Sequence, residues 1–243
     1  PYMDRVAFQG LEDASLFRDA FANGKVGLQA LELTAGDLPW LREHEADGDY
    51  QVRTSPSTWH LTLHLNLATA DERLNRFFND LRVRQAVMLG IDRERLNFQY
   101  YDGLCTARQF SPLEGTRFYD EEVSQGYVGY DVDEANALLD EAGYRERDAE
   151  GFRLHPGGGR VTSEIAGETQ GESAEEACGV DVAECLGDLG LECSYRRVLA
   201  DEMSRLQREN GLQAAWMPNY SFPLLPTRAV FGFLGFGINP QPW

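Results

Sequence analysis

Among the side chains able to do chemistry, His60 and His64 stand four apart in Thr58–Asn66, where Trp59, Leu61, Leu63 and Leu65 alternate as in a strand. A period of two puts both histidines on one face. Four strand residues nevertheless span roughly 13 Å, too far for two ligands of one metal ion. They read as surface or partly buried strand histidines. The cysteines, at 105, 178, 185 and 193, have no metal-ligand spacing. Cys178 and Cys185 lie i, i+7 on a helical pattern, two turns or roughly 10 Å apart, so they are not expected to bond to each other. With Val182 and Leu189 on the same face, they read as buried thiols. Pairing of Cys185 with Cys193, or of either with Cys105, stays open if the compartment is oxidising.

The run Gly157-Gly158-Gly159 lacks the following Lys-Ser/Thr of a phosphate loop and precedes a strand pattern, so it reads as a hairpin turn. Acidic pairs such as Glu121-Glu122 and Glu175-Glu176 read as solvated charges. No Gly-x-Ser-x-Gly and no local Cys/His context is present, so catalysis is disfavoured and no cofactor or metal is expected. One segment has binding character, Trp216-Met217-Pro218-Asn219-Tyr220-Ser221-Phe222-Pro223. A strand runs into Trp216, and the chain then leaves the sheet as an aromatic, Pro-broken loop. Loops at the carboxyl ends of α/β strands are where such sheets bind ligands. Aromatic faces supply flat apolar area, and an Asn amide both donates and accepts.

The elements positioning these groups follow from composition and pattern. In 243 residues, one large domain or two small ones, 42% are hydrophobic, enough for a core. Asp and Glu number 40 against 22 Lys and Arg, a net charge of −18. That excess repels phosphate backbones and anionic headgroups, which makes nucleic acid and membrane surfaces poor partners. The longest apolar run, Ala229–Ile238, is far short of a membrane span and reads as a packed loop or short strand. The start at Pro1, without a signal-peptide pattern, suggests a fragment or processed product.

Strands are expected at Tyr2–Gln9, Gln51–Arg53, Thr58–Asn66, Leu191–Val198 and Leu212–Met217. Helices are expected from Asp13 to Phe21, near Leu38–Leu41, and from caps at Asp80, Asp92 and Asp131. Two more cover Ser173–Leu189 and Asp201–Asn210. Gly143 closes the helix whose stripe is Ala135, Leu138, Leu139 and Ala142. Leu67–Asn79, polar and without a regular period, reads as a boundary, and Gly103–Gly129 as loop. Alternating strands and helices predict an α/β layer structure.

Three local patterns resemble the extracellular solute-binding proteins of family 5, the dipeptide, oligopeptide and nickel-binding group served by ABC transporters. Phe78-Asn79-Asp80-Leu81-Arg82-Val83-Arg84-Gln85-Ala86, followed by Gly90-Ile91-Asp92-Arg93-Glu94, is similar to that family's D-V-R-V-R-x-A … A-I-D-R. Tyr130-Asp131-Val132-Asp133-Glu134-Ala135 through Leu138-Leu139-Asp140-Glu141-Ala142-Gly143-Tyr144 resembles Y-D-x-x-x-A-x-x-L-L-x-E-A-G-Y. Pro1-Tyr2-Met3-Asp4-Arg5-Val6-Ala7-Phe8 is similar to P-Y-L-D-x-V-x-F. These motifs are scaffold: Asp80 and Asp92 read as caps, and Arg82 and Arg84 as pairing with acids to fix a helix against the sheet.

The resemblance implies a partial type II periplasmic-binding-protein-like α/β fold. Residues 1–76 would form part of the first lobe and the approach to the hinge, and 77–243 most of the second ligand-binding lobe, with its carboxyl return missing. It implies the substrate-binding component of an ABC importer, periplasmic or extracellular and anchored through a missing amino-terminal segment. Its partners would be a small or short-oligomer solute and ABC permease subunits, and the truncated chain would tend to self-associate. A solute-sensing domain of a cytoplasmic transcriptional regulator is the alternative, and an enzyme on the same fold ranks last. By resemblance the ligand-binding residues are Trp216, Asn219 and Tyr220, in place of W-x-A-D-Y-x-x-P. Asn219 stands where peptide-binding members carry an Asp that pairs with the peptide's amino terminus, and Pro218 replaces Ala. An amide cannot neutralise an ammonium group, which favours a neutral polar ligand, an oligosaccharide or a blocked peptide, with Trp216 stacking on it.

Overall fold

The computed structural model describes residues 14–27, 33, 35–54, 59–168 and 173–220, without the side chains of residues 14, 15, 35, 59, 219 and 220. The chain divides into two compact units between Ser55 and Pro56. The expected strand at Tyr2–Gln9, the cap at Asp13 and the run Ala229–Ile238 lie outside the described residues.

In the first unit, α1 (Ala14–Ala22) stops at Asn23-Gly24, where Gly24 takes a φ of +62°. α2 (Leu38–Glu43) and the single turn α3 (Glu45–Gly48) follow. Phe21 and Leu41 are buried, and Tyr50 joins them, edge-on to Phe21 and donating its hydroxyl to Leu41 O at 2.6 Å. The strand expected at Gln51–Arg53 does not form. Instead of a ladder partner, the Val52 N–H finds the Glu45 carboxylate at 2.6 Å, a local side-chain acceptor that competes with sheet pairing.

The second unit is built on four strands, β1 (Trp59–Leu65), β2 (Thr162–Glu168), β3 (Glu192–Val198) and β4 (Ala214–Tyr220), in the order β1-β4-β2-β3. β2 is parallel to both β3 and β4, while β1 runs antiparallel to β4. The helices α4 (Glu72–Asn79), α5 (Leu81–Leu89), α6 (Arg93–Tyr101), α7 (Glu121–Gln125) and α8 (Val132–Glu141) lie between β1 and β2. α9 (Ala174–Asp188) and α10 (Ala200–Arg208) are the crossovers to β3 and β4. One sheet face carries the main core, where Ile165, Ala214 and Trp216 meet Val182 and Leu186 of α9 and Leu61, Leu63 and Leu65 pack on the same cluster. The other face packs Ala166, Val198 and Ala215 against Met203 and Leu206 of α10. Helices on both faces of a mixed sheet confirm the α/β reading.

Leu67–Asn79 is not an irregular stretch: α4 occupies most of it. Asp71 caps that helix, accepting from Arg73 N at 2.9 Å and Leu74 N at 3.1 Å, and Leu74, Phe77 and Phe78 are buried. Eight residues supply only one i, i+3, i+4 set, too short for a repeating period to show in the sequence. The loop expected at 103–129 likewise contains α7, capped by Asp120.

The arginines of the first motif, Arg82 and Arg84, fix helix to helix rather than helix to sheet. Arg82 grips Asp80 with two bonds and donates to Glu141 O of α8 at 2.8 Å. Arg84 pairs with no acid among the described residues but donates to Phe78 O at 2.8 Å. Asp80, Asp92 and Asp131 each cap their helix through the side chain, and Gly143 follows α8 at a φ of +98°. Among the described residues the most buried cation is Arg153, 1% exposed, which ties α8 to the end of α9. It donates to Asp140 Oδ1 at 2.6 Å, Asn136 Oδ1 at 2.7 Å, Leu189 O at 2.8 Å and Tyr144 O at 2.5 Å.

Candidate ligand-binding site

Of the expected binding segment, the residues up to Tyr220 are strand where a loop was anticipated, and Ser221–Pro223 lie outside the described residues. β4 continues through Pro218 and Asn219 to Tyr220, paired all the way with β1: Leu61 opposite Pro218, His60 opposite Asn219, Trp59 opposite Tyr220. On its other side, β4 pairs with β2 only from Ala214 to Trp216. Pro218 therefore falls where β4 has outrun β2, and a residue lacking an N–H is tolerated on such a stretch. A proline among aromatics is locally the signal of a break, and it is the long-range partner β1 that keeps the segment extended.

Trp216 is a core side chain. Its ring is 9% exposed, and its indole N–H donates to Glu175 O in the first turn of α9 at 2.8 Å. A Cβ on Gly179 would fall 2.6 Å from Trp216 and 2.5 Å from Tyr195, so the missing side chain of α9 is what admits both rings. Gly167 at the end of β2 does the same for Tyr195, whose hydroxyl would lie 1.7 Å from a Cβ there. Tyr195 thus leans from β3 across β2 towards Trp216, and its hydroxyl is pushed up to about 12, by burial first and the Glu176 carboxylate second. Glu176, buried in the first turn of α9, pairs with Arg197 of β3. The carboxyl ends of β2, β3 and β4 and the amino end of α9 are consequently locked together by Trp216, Tyr195 and Glu176. Burial leaves Trp216 as the anchor of this end of the sheet, with no broad face free for stacking.

On the other face, β1 presents His60, Thr62 and His64. Thr62 donates to Met217 O at 3.1 Å, so its oxygen receives the Nε2 proton of His64 at 2.8 Å. Arg108 approaches His60 Nε2 at 3.1 Å. Arginine only donates, so that nitrogen accepts and the ring is neutral, its proton on Nδ1. Burial pulls both histidines down to about 4, helped at His60 by the Arg108 charge. Phe110 closes on His60 edge-to-face at 5.6 Å. Between them Gln109 is pinned at both ends, its N–H to Ser124 O at 2.8 Å and its amide to Gly126 O at 2.6 Å. That anchor sets Arg108 and Phe110 against His60. Sequence reasoning missed both, since nothing in the loop pattern ties residue 108 to residue 60.

No cluster of metal-ligating side chains exists among the described residues. The four cysteines are free thiols, Cys178 and Cys185 both buried along α9, Cys193 half-buried and Cys105 exposed. The three glycines at 157–159 all have a φ near +90° and carry the His155–Gly159 turn, a hairpin and not a phosphate loop. No helix among the described residues is long and apolar enough to cross a membrane.

Comparison with known proteins agrees with this architecture. The sequence model of a family described as bacterial extracellular solute-binding proteins, family 5 (middle), matches residues 1–235. The oligopeptide-binding protein AppA of Bacillus subtilis (strain 168) is 26% identical over 200 residues, 79% of this chain and 33% of its own length. The periplasmic alpha-galactoside-binding protein of Rhizobium meliloti (strain 1021) is 36% identical over 92 residues, 37% of this chain and 13% of its own. Among solved structures, an oligopeptide-binding protein OppA superposes with a TM-score of 0.75 at 26% identity, over 89% of this chain and 35% of that one. The periplasmic binding protein MelB from Agrobacterium fabrum C58, in complex with stachyose, gives 0.66 at 19% identity, over 83% and 32%, a likeness of fold. The chain spans about a third of AppA and of OppA.

Proposed function

Since the chain belongs to the bacterial extracellular solute-binding proteins of family 5, we propose that it is part of the first lobe plus most of the second lobe of an ABC importer's substrate-binding component. Residues 1–76 belong to the first lobe and the approach to the hinge, the approach being β1, and 77–243 to the second lobe. The whole protein captures a small solute, peptide-like or oligosaccharide, between its lobes outside the cytoplasm and hands it to a membrane permease. It binds and releases without catalysis.

The observation that carries this reading is the end of β4. Beyond Trp216 the strand has one partner among the described residues, β1, and its other edge lies beside the carboxyl ends of β2 and β3 and the amino end of α9. Open α/β sheets bind ligands at that end, and a strand edge unpaired among the described residues suits an extended chain with alternating polar groups. Trp216 holds the edge in place, and Asn219 and Tyr220 meet the solute.

Asn219 selects against a free peptide amine. An ammonium facing an amide loses a charge-assisted bond of about 1.5–3 kcal/mol, roughly ten- to a hundredfold in affinity. Calorimetry on the complete protein, titrated with stachyose, a free tripeptide and the same tripeptide N-acetylated, tests this. The acetylated peptide or the sugar should bind, the free peptide should be weaker by that factor, and N219D should narrow the gap. Tight binding of the free peptide, indifferent to acetylation, would sink the ligand class, and no binding of any solute would sink the receptor reading.

A further inference from the structure

The sheet edge opposite β1 is open among the described residues: β3 stands last in the strand order and pairs only with β2. Glu192 gives its N–H to Val161 O at 3.0 Å, so the backbone groups of residues 192, 194 and 196 face β2. Those of Cys193, Tyr195 and Arg197 point outward, a row of donors and acceptors for another extended chain. Beside this edge lies a groove of about 380 Å³. Val180, Ala183 and Gly187 of α9 form its wall, and Leu191 with Cys193 and Tyr195 of β3 forms its floor. Cys193 and Tyr195 pack on the α9 face of the sheet and Val198 on the α10 face. Every second side chain of a strand added to β3 therefore falls into the groove. The rim is acidic. Glu184 of α9 is exposed and makes no ion pair among the described residues. Beside Phe152, which also lines the groove, Asp148, Glu150 and Glu192 share the one guanidinium of Arg160, itself 4.6 Å from the Phe152 ring. Three carboxylates on one cation leave that end negative.

We infer that this edge is a docking surface for a basic, extended segment of a partner protein, which adds a strand to β3 and sets apolar side chains into the groove. Main-chain bonds to β3 supply affinity, and the groove selects the side chains. Charge fixes the sign of the partner: Glu184 and the carboxylates around Arg160 call for Lys or Arg flanking the apolar positions. A second copy of this chain carries the same net charge of −18 and the same acidic rim, so it is repelled, as is an anionic lipid surface. The groove follows the carboxyl-terminal half of α9, away from the carboxyl ends of the strands. The inference therefore stands apart from the solute and its class.

The test uses the complete protein and three end-blocked peptides: Lys-Thr-Val-Thr-Val-Thr-Lys, the same chain with Glu for Lys, and the Lys peptide N-methylated at its Val and Thr amides. By calorimetry at low salt the Lys peptide should bind about 10-fold more tightly than the Glu peptide, and high salt should erase most of that ratio. The N-methylated peptide, which cannot add a strand, should not bind. Hydrogen exchange should find the amides of Cys193, Tyr195 and Arg197 unprotected in the free protein and protected by the Lys peptide. A Cβ at Gly187 meets nothing within 4 Å, so G187L can fill the groove without disturbing the fold; it should abolish binding with circular dichroism unchanged. E184K should lower the preference for Lys about threefold. Failure of the Lys peptide to bind the natural protein, equal binding of the Lys and Glu peptides, or binding retained in G187L overturns the assignment. So does protection of the three amides in the free protein: sedimentation as a dimer would then give the edge to a second copy, and as a monomer to the chain's own residues. None of these outcomes touches the solute reading.

Discussion

Two glycines on one helix should respond to the same substitution with opposite sign. Both Gly179 and Gly187 lie within α9, and replacing a helical glycine by alanine ordinarily gains about 1 kcal/mol by restricting the unfolded chain. At Gly187 nothing lies within 4 Å of the new Cβ, so G187A should keep most of that gain. At Gly179 the Cβ would meet Tyr195 at 2.5 Å and Trp216 at 2.6 Å. Neither ring has room to retreat, since Trp216 is buried and hydrogen-bonded to Glu175 O, and the Tyr195 hydroxyl already sits against Gly167. Overpacking of this kind costs roughly 1–3 kcal/mol, and two constrained rings argue for the upper end. G179A should therefore lose about 2 kcal/mol net, placing the variants about 3 kcal/mol apart. Urea denaturation of the full chain followed by circular dichroism reads this directly, and at a slope of roughly 1–3 kcal/mol per M the midpoints should separate by about 1–3 M. Should G179A prove as stable as G187A, the seat of Trp216 would be loose, and its assignment as anchor rather than ligand face would fall.

Three further outcomes follow from buried groups. R153M should cost about 3–5 kcal/mol in the same assay, because it strips Tyr144 O of its donor and the Asp140 carboxylate of its buried partner, and leaves Leu189 O and Asn136 Oδ1 to Arg147 alone; a loss under about 1 kcal/mol would mean water replaces the guanidinium. His60 and His64, held near 4 against an ordinary 6.5, should show flat ring-proton shifts by NMR from pH 8 down to pH 5, and midpoints above 6 would contradict their burial. The sign follows: the folded values lie below the unfolded ones, so the unfolded state takes up protons first, and stability present above 6.5 falls as pH drops towards 4, by up to roughly 3 kcal/mol for His64. Thiol labelling of the native chain should modify Cys105 quickly and spare Cys178, whose thiol burial pushes up to about 12, until urea exposes it. Equal rates at both would refute the α9 packing.

What was legible in the sequence is what local chemistry decides. Asp80, Asp92 and Asp131 announce their helices because a cap is a bond between a side chain and an N–H two or three residues on. Gly143 ends α8, and the three glycines at 157–159 make a turn, because a positive φ is a property of the residue itself. The alternation of Leu61, Leu63 and Leu65 placed β1, and the i, i+7 spacing kept Cys178 and Cys185 apart, since both depend on a single periodicity. The short helix α4 escaped because eight residues hold too few turns to repeat a pattern. The strand course beyond Met217 was not legible at all. That Pro218–Tyr220 is strand depends on β1, more than 150 residues earlier in the chain. The burial of Trp216 depends on the absence of a side chain at Gly179, and the presence of Arg108 beside Asn219's partner His60 depends on how Gln109 is tied to Ser124 and Gly126. Such contacts join residues distant in the chain, and loop closure decides them through the packing of the whole unit rather than through any preference of the residues involved.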